Sequence, residues 1–200
     1  MVYGEFKSMK IPLFPLNLVL LPNEEVSLHI FESKYKKMIS ECLENNNSFG
    51  VVLKTRTKQY SIGCTAKIVE VLESYDDGEY DIVIKGDKRF SVKKFKHENN
   101  LLFGNINFLN DDIKYNDKTI LEDVKDKYLN ILLNHKIVRD IDIEISKTIS
   151  YDFTKKIILP TKLKQIFLEI PSETERLYFL EDLFSKVIET KLSKDYNELN

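Results

Sequence analysis

The spacing of apolar residues changes near Asn110, so that the sequence falls into two halves of different character. Before this point, short apolar runs and alternating stretches predict strands that are separated by turns. After it, apolar residues recur every three or four positions, which is typical of amphipathic helices. We therefore predict an α+β protein with a disordered leader at 1–9, a β-rich subdomain at 10–110 and a helical subdomain at 111–200.

The β-rich half opens with an apolar run at residues 11–22 that three prolines interrupt. Prolines exclude a helix here and are typical of an edge strand or a bent strand. A second strand is predicted at 26–31. Ser33 is then predicted to cap a helix with one apolar face, which ends at the asparagines 45–47. Another strand is predicted at 49–53.

The clearest strand signal comes from alternating residues at 62–72 and 80–84. These stretches flank Asp77 and Gly78, a dipeptide that favours a hairpin because both residues tolerate a positive φ. Gly86 and Asp87 predict a bend in the chain. Two further strands are predicted beyond this bend, at 90–95 and 102–109. About six strands with one embedded helix predict a small curved sheet or a β pseudo-barrel.

The helical half contains two capping-box patterns, in which a Ser or Thr is followed three residues later by Glu. Thr119 with Glu122 predicts the start of one helix, and Ser172 with Glu175 predicts the start of a long one. Residues 141–156 fit both a strand and a helical stripe, and we interpret them as a helix. A short amphipathic helix is predicted between Pro160 and Pro171.

Composition argues against several classes of protein. The chain has 30 basic and 32 acidic residues, so that no overall field attracts nucleic acid or membrane. Cys42 and Cys64 lack metal-site spacing and are predicted to be reduced, buried thiols. Neither a secretory signal nor an apolar stretch of about 20 residues is recognisable, so we expect a cytoplasmic protein that does not bind membranes.

None of the common catalytic signatures is complete. The fragment Gly86-Asp87-Lys88 lacks the second glycine of a P-loop, and no GxSxG nucleophile motif occurs. The histidines His29, His97 and His135 are dispersed, and none has the partner that a zinc helix requires. A catalytic triad assembled only in the fold stays an alternative. We predict a protein that is not an enzyme and that has no cofactor or metal.

One local cluster of charge suggests a second interpretation. Basic residues crowd the region that also holds Phe90 and Phe95; they are Lys85, Lys88, Arg89, Lys93, Lys94 and Lys96. Such a cluster with aromatic residues can bind a nucleic-acid backbone and stack bases. Alternatively, the phenylalanines fill the core and the lysines protect an exposed strand edge. We favour the second interpretation because the overall charge is balanced.

Several sequence blocks together resemble the N-terminal domain of Lon proteases. Residues 11–17, 19–22 and 28–35 are similar to the opening of that family, which has an approximate PLFPL and IFExRY pattern. Residues 62–68 and 77–90 are similar to its hGTxAxI strand and to its hairpin with a GxxRF stretch. The resemblance covers about 10–188, with matches to the closing helices at 167–169 and 175–177. Three positions depart from the pattern, namely Asn23, His29 and Lys34.

The resemblance implies a PUA-like β pseudo-barrel with one embedded helix, followed by a C-terminal helical bundle. It also implies a stand-alone bacterial module that recognises unfolded or exposed apolar polypeptide segments, or another protein partner. In complete Lon proteases an ATPase and a protease follow this domain, and we expect neither activity from these 200 residues.

Residue roles can also be proposed from the resemblance and the pattern. Because the proline-interrupted strand cannot pair fully, Phe14, Leu16 and Leu18 are candidate peptide contacts. Phe31, Tyr35 and Phe90 are expected in the core, while Glu32 and Arg89 are expected to pair with each other or to tether loops. The alternative function is that of an RNA-binding, PUA-like protein that uses the basic cluster at residues 85–96.

Overall fold

The computed structural model describes residues 8–111, 119–137 and 140–198, with side chains described as far as Thr190. These residues form two compact units. The first contains the described part of 1–110 together with Pro160–Glu169, and the second contains the described parts of 111–159 and 170–200. The segment 160–169 therefore clusters with the β-rich unit, whereas the sequence pattern places it in the helical half.

The helices and strands follow the predicted order. The first unit contains β1 (Met9–Leu16), β2 (Glu25–Ile30), α1 (Ser33–Asn45), β3 (Phe49–Lys54), β4 (Gln59–Ser74), β5 (Tyr80–Glu98), β6 (Leu101–Phe108) and α4 (Thr161–Glu169). The second contains α2 (Thr119–Asn134), α3 (Ile141–Ile145), a 3-10 helix (Ser150–Thr154) and α5 (Glu173–Glu198). Since β1 begins at Met9, the last residue of the predicted leader belongs to a strand, while residues 1–7 lie outside the described part.

The six strands form one sheet that closes on itself. Their order is β2-β5-β4-β3-β1-β6, and β5 also pairs with β6, so that all strands except β2 complete a barrel. Only β1 and β3 run parallel to each other; the other pairs are antiparallel. The predicted α+β class with a β pseudo-barrel and one embedded helix is confirmed.

Strand β5 has a register shift with β4 at residues 87–88, where the sequence predicts a bend. It is continuous from Tyr80 to Glu98, and Gly86 pairs with Ala66 within it. A Cβ atom on Gly86 would lie 2.1 Å from the carbonyl oxygen of Leu21. Asn23 N–H also donates to the Gly86 carbonyl at 2.9 Å. The glycine is therefore explained by the close approach of the loop after β1, and the irregularity predicted at Gly86 and Asp87 takes the form of a register shift within one continuous strand.

Three smaller predictions also need correction. Only Gly78 has a positive φ in the β4–β5 turn, at 82°, so Asp77 does not share that conformation. Glu32, rather than Ser33, occupies the N-cap position of α1. Phe31 is 60% exposed and stacks on His29, since it lies just beyond the end of β2, whereas Tyr35 and Phe90 are buried as predicted.

The core of the first unit lies inside the barrel and beneath α1. Helix α1 buries Tyr35, Met38, Ile39 and Cys42 against the sheet. Both cysteines are buried thiols outside any disulfide, as predicted, and burial raises the pKa of Cys42 to about 11. Such thiols are chemically inert near neutral pH because little thiolate forms.

Helix α4 is attached to the barrel by three polar side chains. The Arg89 guanidinium is fully buried and donates to the Leu168 carbonyl at 2.7 Å. Gln165 donates to the Ile62 carbonyl at 3.3 Å, and Lys164 forms an ion pair with Glu24. Arg89 therefore tethers a distant helix and does not pair with Glu32, which instead contacts Lys34.

The second unit packs α2 against α5. Of the residues that the helical pattern places inward, Val124, Tyr128, Ile131 and Leu132 on α2 are buried. The Tyr128 ring lies 6.0 Å from that of Phe184 on α5. Amphipathic spacing therefore predicted this interface correctly.

Residues 141–156 do not form the single helix that was predicted. They form the short helix α3 and the 3-10 helix, and Ile141 and Ile145 of the predicted stripe are exposed. The Ser150 N–H and hydroxyl donate to the Glu173 carboxylate at 2.6 and 2.8 Å. The Glu173 carboxylate thus binds the N–H of the residue that begins the 3-10 helix, a group that has no acceptor within that helix.

Candidate functional site

A groove runs along α1 on the surface of the first unit. It consists of two adjoining cavities of about 490 and 350 Å³. Both cavities are lined by Met38, Glu41, Leu101 and Phe103, so they form one continuous depression. This depression is called the α1 groove below. Cavities of this size can hold a small molecule or a few side chains of a polypeptide.

Apolar and polar side chains both line the α1 groove, and the apolar ones are called its floor below. Helix α1 contributes Met38, while β1 and β6 contribute Met9, Pro12 and Phe103. Met9 is 51% exposed, and Phe103 is half-buried. Because methionine side chains are flexible and polarisable, they can adapt to ligands of different shape.

One wall of the α1 groove is a strand edge with open hydrogen-bonding positions. Strand β1 pairs with β6 from Met9 to Leu13 but with β3 only from Leu13 onward. Among the described residues, the segment from Met9 to Pro12 therefore has a strand on one side only. The backbone groups on its other side can accept a further extended chain.

The rim of the α1 groove carries charges of both signs. Lys10 forms an ion pair with Glu98 at 2.5 Å and lies 4.7 Å from the Phe103 ring centroid. Hydrogen bonds from Lys10 and Lys96 lower the pKa of Glu98. Lys37 and Glu41 form a looser pair at 3.8 Å across one turn of α1. Since the charges are paired, the groove offers no concentrated positive site for a phosphate.

The model of the ATP-dependent protease La (LON) substrate-binding domain matches residues 10–186 of this chain. The chain belongs to this family. It is 26% identical over 204 residues to the Lon protease of Cytophaga hutchinsonii, a match that covers 92% of this chain and 25% of that protein. It is 31% identical over 110 residues to the Lon protease of Parabacteroides distasonis, covering 50% of this chain and 13% of that protein.

The chain thus spans only about a quarter of the length of the first of these curated Lon relatives. Solved structures of Lon N-terminal domains share its fold. A Lon N-terminal domain protein from Xanthomonas campestris has a TM-score of 0.67 at 21% identity, covering 86% of this chain and 96% of that one. The N-terminal domain of a Mycobacterium avium complex Lon protease has a TM-score of 0.72 at 18% identity, covering 88% and 98%.

The residues predicted to contact peptide lie further along β1 than the open edge of this Lon-family domain. Phe14 is buried, with its ring centroid 4.1 Å from that of Tyr35. Leu16 and Leu18 are half-buried and pack against the same core. Phe14 is therefore a core residue rather than a surface contact. The proline-interrupted strand does pair incompletely, as expected, but the open part on the groove side is residues 9–12.

The basic cluster does not form a free positive surface. Arg89 is buried, and Lys85 and Lys96 form ion pairs with Glu25 and Glu98. Lys88 lies 5.7 Å from the Phe108 ring centroid, and Lys93 and Lys94 are exposed on the surface. Electrostatic attraction of a nucleic-acid backbone needs several unpaired cations together.

The aromatic rings of this cluster are also unavailable for base stacking. Phe90 is fully buried, and Phe95 is half-buried against the same part of the core. Stacking requires an exposed ring face. The nucleic-acid alternative is therefore not favoured.

The three histidines lie on different structural elements. His29 on β2 contacts the carboxylates of Glu79 and Asp81, at 3.2 and 2.8 Å. His97 is exposed on β5, and His135 is exposed just after α2. Among the described residues, no group of three or more His, Cys, Asp or Glu side chains is placed to hold a metal ion. In the same part of the chain, no helix is both long and apolar enough to cross a membrane.

One buried cluster in the second unit has the residue types of a catalytic site. Glu144 accepts hydrogen bonds from the Tyr128 hydroxyl at 2.7 Å and from Lys147, and it forms an ion pair with Lys156 at 2.5 Å. Burial raises the pKa of Glu144, but these hydrogen bonds outweigh it and lower the pKa to about 2. The carboxylate is thus fixed as an anion by its neighbours, which is a structural role rather than that of a general base.

Replacing Glu144 with glutamine is expected to lower stability by about 2 kcal/mol at pH 7. Because the folded-state pKa of about 2 lies below the ordinary value of 4.5, the charge stabilises the fold above pH 4.5. This contribution is lost as the pH falls through the folded pKa. Urea unfolding of both proteins between pH 7 and pH 2 measures the difference.

Glu122→Gln serves as the control for this series. Glu122 is exposed and pairs with Lys125, and surface ion pairs of this kind contribute at most about 1 kcal/mol. A stability difference between wild type and Glu144→Gln that did not shrink between pH 4.5 and pH 2 would contradict this explanation.

Sequence reasoning missed the α1 groove itself. Met9 falls within the predicted leader, and Met38 has the spacing of an ordinary core residue. The only local signal was the proline-interrupted strand, since Pro12 has no N–H to offer to a second neighbour. The position of the open edge depends on where β3 and β6 end, which the local pattern does not reveal.

Proposed function

We propose that this chain is a non-catalytic polypeptide-binding module that takes exposed apolar segments of unfolded proteins into the α1 groove. The observation that carries the proposal is the conjunction of an apolar floor with an open strand edge at residues 9–12. An extended segment placed there would gain backbone hydrogen bonds from β1 and apolar contacts from the floor. Neither contact depends strongly on the sequence of the ligand.

The family description supports this proposal. The matched family is named for substrate binding within an ATP-dependent protease, and the relatives are Lon proteases. We propose that the ligands here are likewise polypeptides, including proteins destined for proteolysis. The cytoplasmic location remains a prediction.

The adaptable floor explains how unrelated segments could bind at one place. Met9 and Met38 border the groove together with Phe103, whose ring supplies a broad apolar surface. The paired charges of Lys10 with Glu98 and of Lys37 with Glu41 flank this floor without an excess of either sign. The groove is therefore suited to apolar segments regardless of their net charge.

The double substitution Met9→Glu/Phe108→Ser tests this proposal. Both side chains border the α1 groove and are exposed, so the fold should tolerate their replacement. We expect it to weaken the binding of fluorescent, reduced and carboxymethylated lactalbumin by about tenfold or more, because apolar contact area is lost. Fluorescence anisotropy measures the affinity.

The matched control is Leu133→Glu/Ile143→Ser, which changes two exposed apolar residues of the second unit. It should bind the unfolded protein within about twofold of wild type, since surface substitutions away from a contact have small effects. Equal affinity of wild type and a folded groove variant would refute the proposal. Cleavage of the unfolded protein, with or without ATP, would refute its non-catalytic part.

A further inference from the structure

The distal part of the β4–β5 hairpin leaves a second strand edge open. Strand β4 pairs with β3 only as far as Ala66, which lies opposite Phe49. Its pairing with β5 continues to Ser74, opposite Tyr80. Within the described chain, residues 67–74 therefore have a strand on one side only, and this segment is called the β4 edge below.

The β4 edge and the adjoining turn expose four large apolar side chains. Val69, Val71, Leu72 and Tyr75 are 50%, 42%, 54% and 40% exposed. The register with β5 shifts between Ile68 and Glu70 and again between Val71 and Glu73. Val69 and Leu72 are the residues left out of the ladder, and they are the two most exposed of the four.

The same region has a strong excess of negative charge. Residues 67–84 contain six carboxylates and one cation, Lys67, which forms an ion pair with Asp87; the acidic residues are Glu70, Glu73, Asp76, Asp77, Glu79 and Asp81. Lys36 and His29 contact the last three of these. In the described part of the chain, Glu70, Glu73 and Asp76 form no ion pair.

We propose that the β4 edge binds an extended polypeptide segment in which basic and apolar side chains alternate. Lysine or arginine would complement the unpaired carboxylates, while the apolar side chains would cover Val69 and Leu72. The two register shifts limit the backbone ladder that a ligand can form, so side-chain contacts provide most of the selectivity.

A second copy of this chain is a poorer ligand for the β4 edge than a cationic segment. Pairing two β4 edges would bring Glu70 and Glu73 of one copy close to the same carboxylates of the other. Like charges that face each other across strands are destabilising. The charge of the edge therefore favours a cationic segment of another chain.

This second surface adds a charge preference to the proposed polypeptide binding and does not depend on the α1 groove. The probe is a fluorescent, acetylated heptapeptide of sequence KVKLKVK. It is compared with the acidic peptide EVELEVE and with the polar cationic peptide KSKSKSK, using fluorescence anisotropy at low salt. We expect the first peptide to bind at least about fivefold more tightly than either of the others.

Two variants separate the apolar and the electrostatic contributions. Val69→Ser/Leu72→Ser should weaken binding of KVKLKVK by about tenfold, because the apolar contact is lost. Glu70→Gln/Glu73→Gln should weaken it by about fivefold at low salt. The effect of the second variant should largely disappear at about 1 M salt, where exposed charges are screened.

All three peptides are measured in the groove variant Met9→Glu/Phe108→Ser, in which binding at the α1 groove is weakened. Leu133→Glu/Ile143→Ser, added to that variant, is the control and should leave the binding of KVKLKVK unchanged. Equal binding of EVELEVE and KVKLKVK would overturn the proposal, as would wild-type affinity in the Val69→Ser/Leu72→Ser variant with an unchanged melting temperature. A dimer of the wild-type chain that this variant abolishes would identify self-association instead and would also overturn it.

Discussion

Replacing Arg89 with methionine is expected to destabilise the chain by about 3 kcal/mol. The guanidinium is fully buried and donates to the Leu168 carbonyl of α4 at 2.7 Å. Methionine fills part of the volume but donates no hydrogen bond, so a buried carbonyl loses its charged partner. Urea unfolding measures the loss, and hydrogen exchange of α4 shows whether that helix is released.

Lys94→Met is the matched control for Arg89→Met, because Lys94 is an exposed basic residue on the same strand. Its effect should stay within about 0.5 kcal/mol. Arg89→Lys should also be destabilising, since an ammonium group lacks the planar fork of donors that the guanidinium presents. Stability of Arg89→Met equal to that of Lys94→Met would show that Arg89 does not tether α4.

Replacing Arg176 with methionine is expected to destabilise the second unit by about 3–5 kcal/mol. Arg176 and Glu173 are both buried and form an ion pair at 2.8 Å. Arg176 also donates to the Ile170 carbonyl at 3.1 Å and lies 4.7 Å from the Tyr151 ring. Removing only the cation leaves the Glu173 carboxylate in a buried site without that partner.

A double-mutant cycle distinguishes this explanation from a simple loss of packing. Glu173→Gln/Arg176→Met should be more stable than the sum of the two single effects implies, because each single change leaves one partner unbalanced. Lys186→Met, which removes an exposed pair with Asp182, should change stability by less than about 1 kcal/mol. Additive effects in the cycle would contradict the proposed coupling.

Much of the fold follows from local patterns, because burying one face of a strand or helix requires apolar residues at a regular spacing along the sequence. Strand β4 and the inward face of α2 were predicted from the alternation and the helical spacing of their apolar residues. Ser172 accepts a hydrogen bond from Glu175 N–H at 3.2 Å, as its capping position predicts.

The remaining features depend on partners that are distant in sequence. Arg89 appeared to belong to an exposed basic cluster, but its acceptor lies 79 residues away. Ser150 begins a separate 3-10 helix, and its N–H is bound by Glu173, 23 residues later. No local period encodes such contacts, so the sequence indicated that Arg89 could tether another segment but did not identify these partners.

The candidate site shows the same limit. The proline-interrupted strand correctly indicated incomplete pairing, yet Phe14 was selected although its ring packs beneath α1. The open edge lies instead at residues 9–12, because β1 begins to pair with β3 only at Leu13. A strand's unpaired side is a property of its neighbours rather than of its own residues.

Hydrogen exchange of the wild-type chain, saturated with reduced and carboxymethylated lactalbumin, tests the binding proposal most directly. The account predicts slower exchange of backbone amides at residues 9–11, since an added extended segment would bond to the open side of β1. It also predicts protection at residues 101–103, which lie across the groove floor. Unchanged exchange at both places under saturating ligand would contradict it.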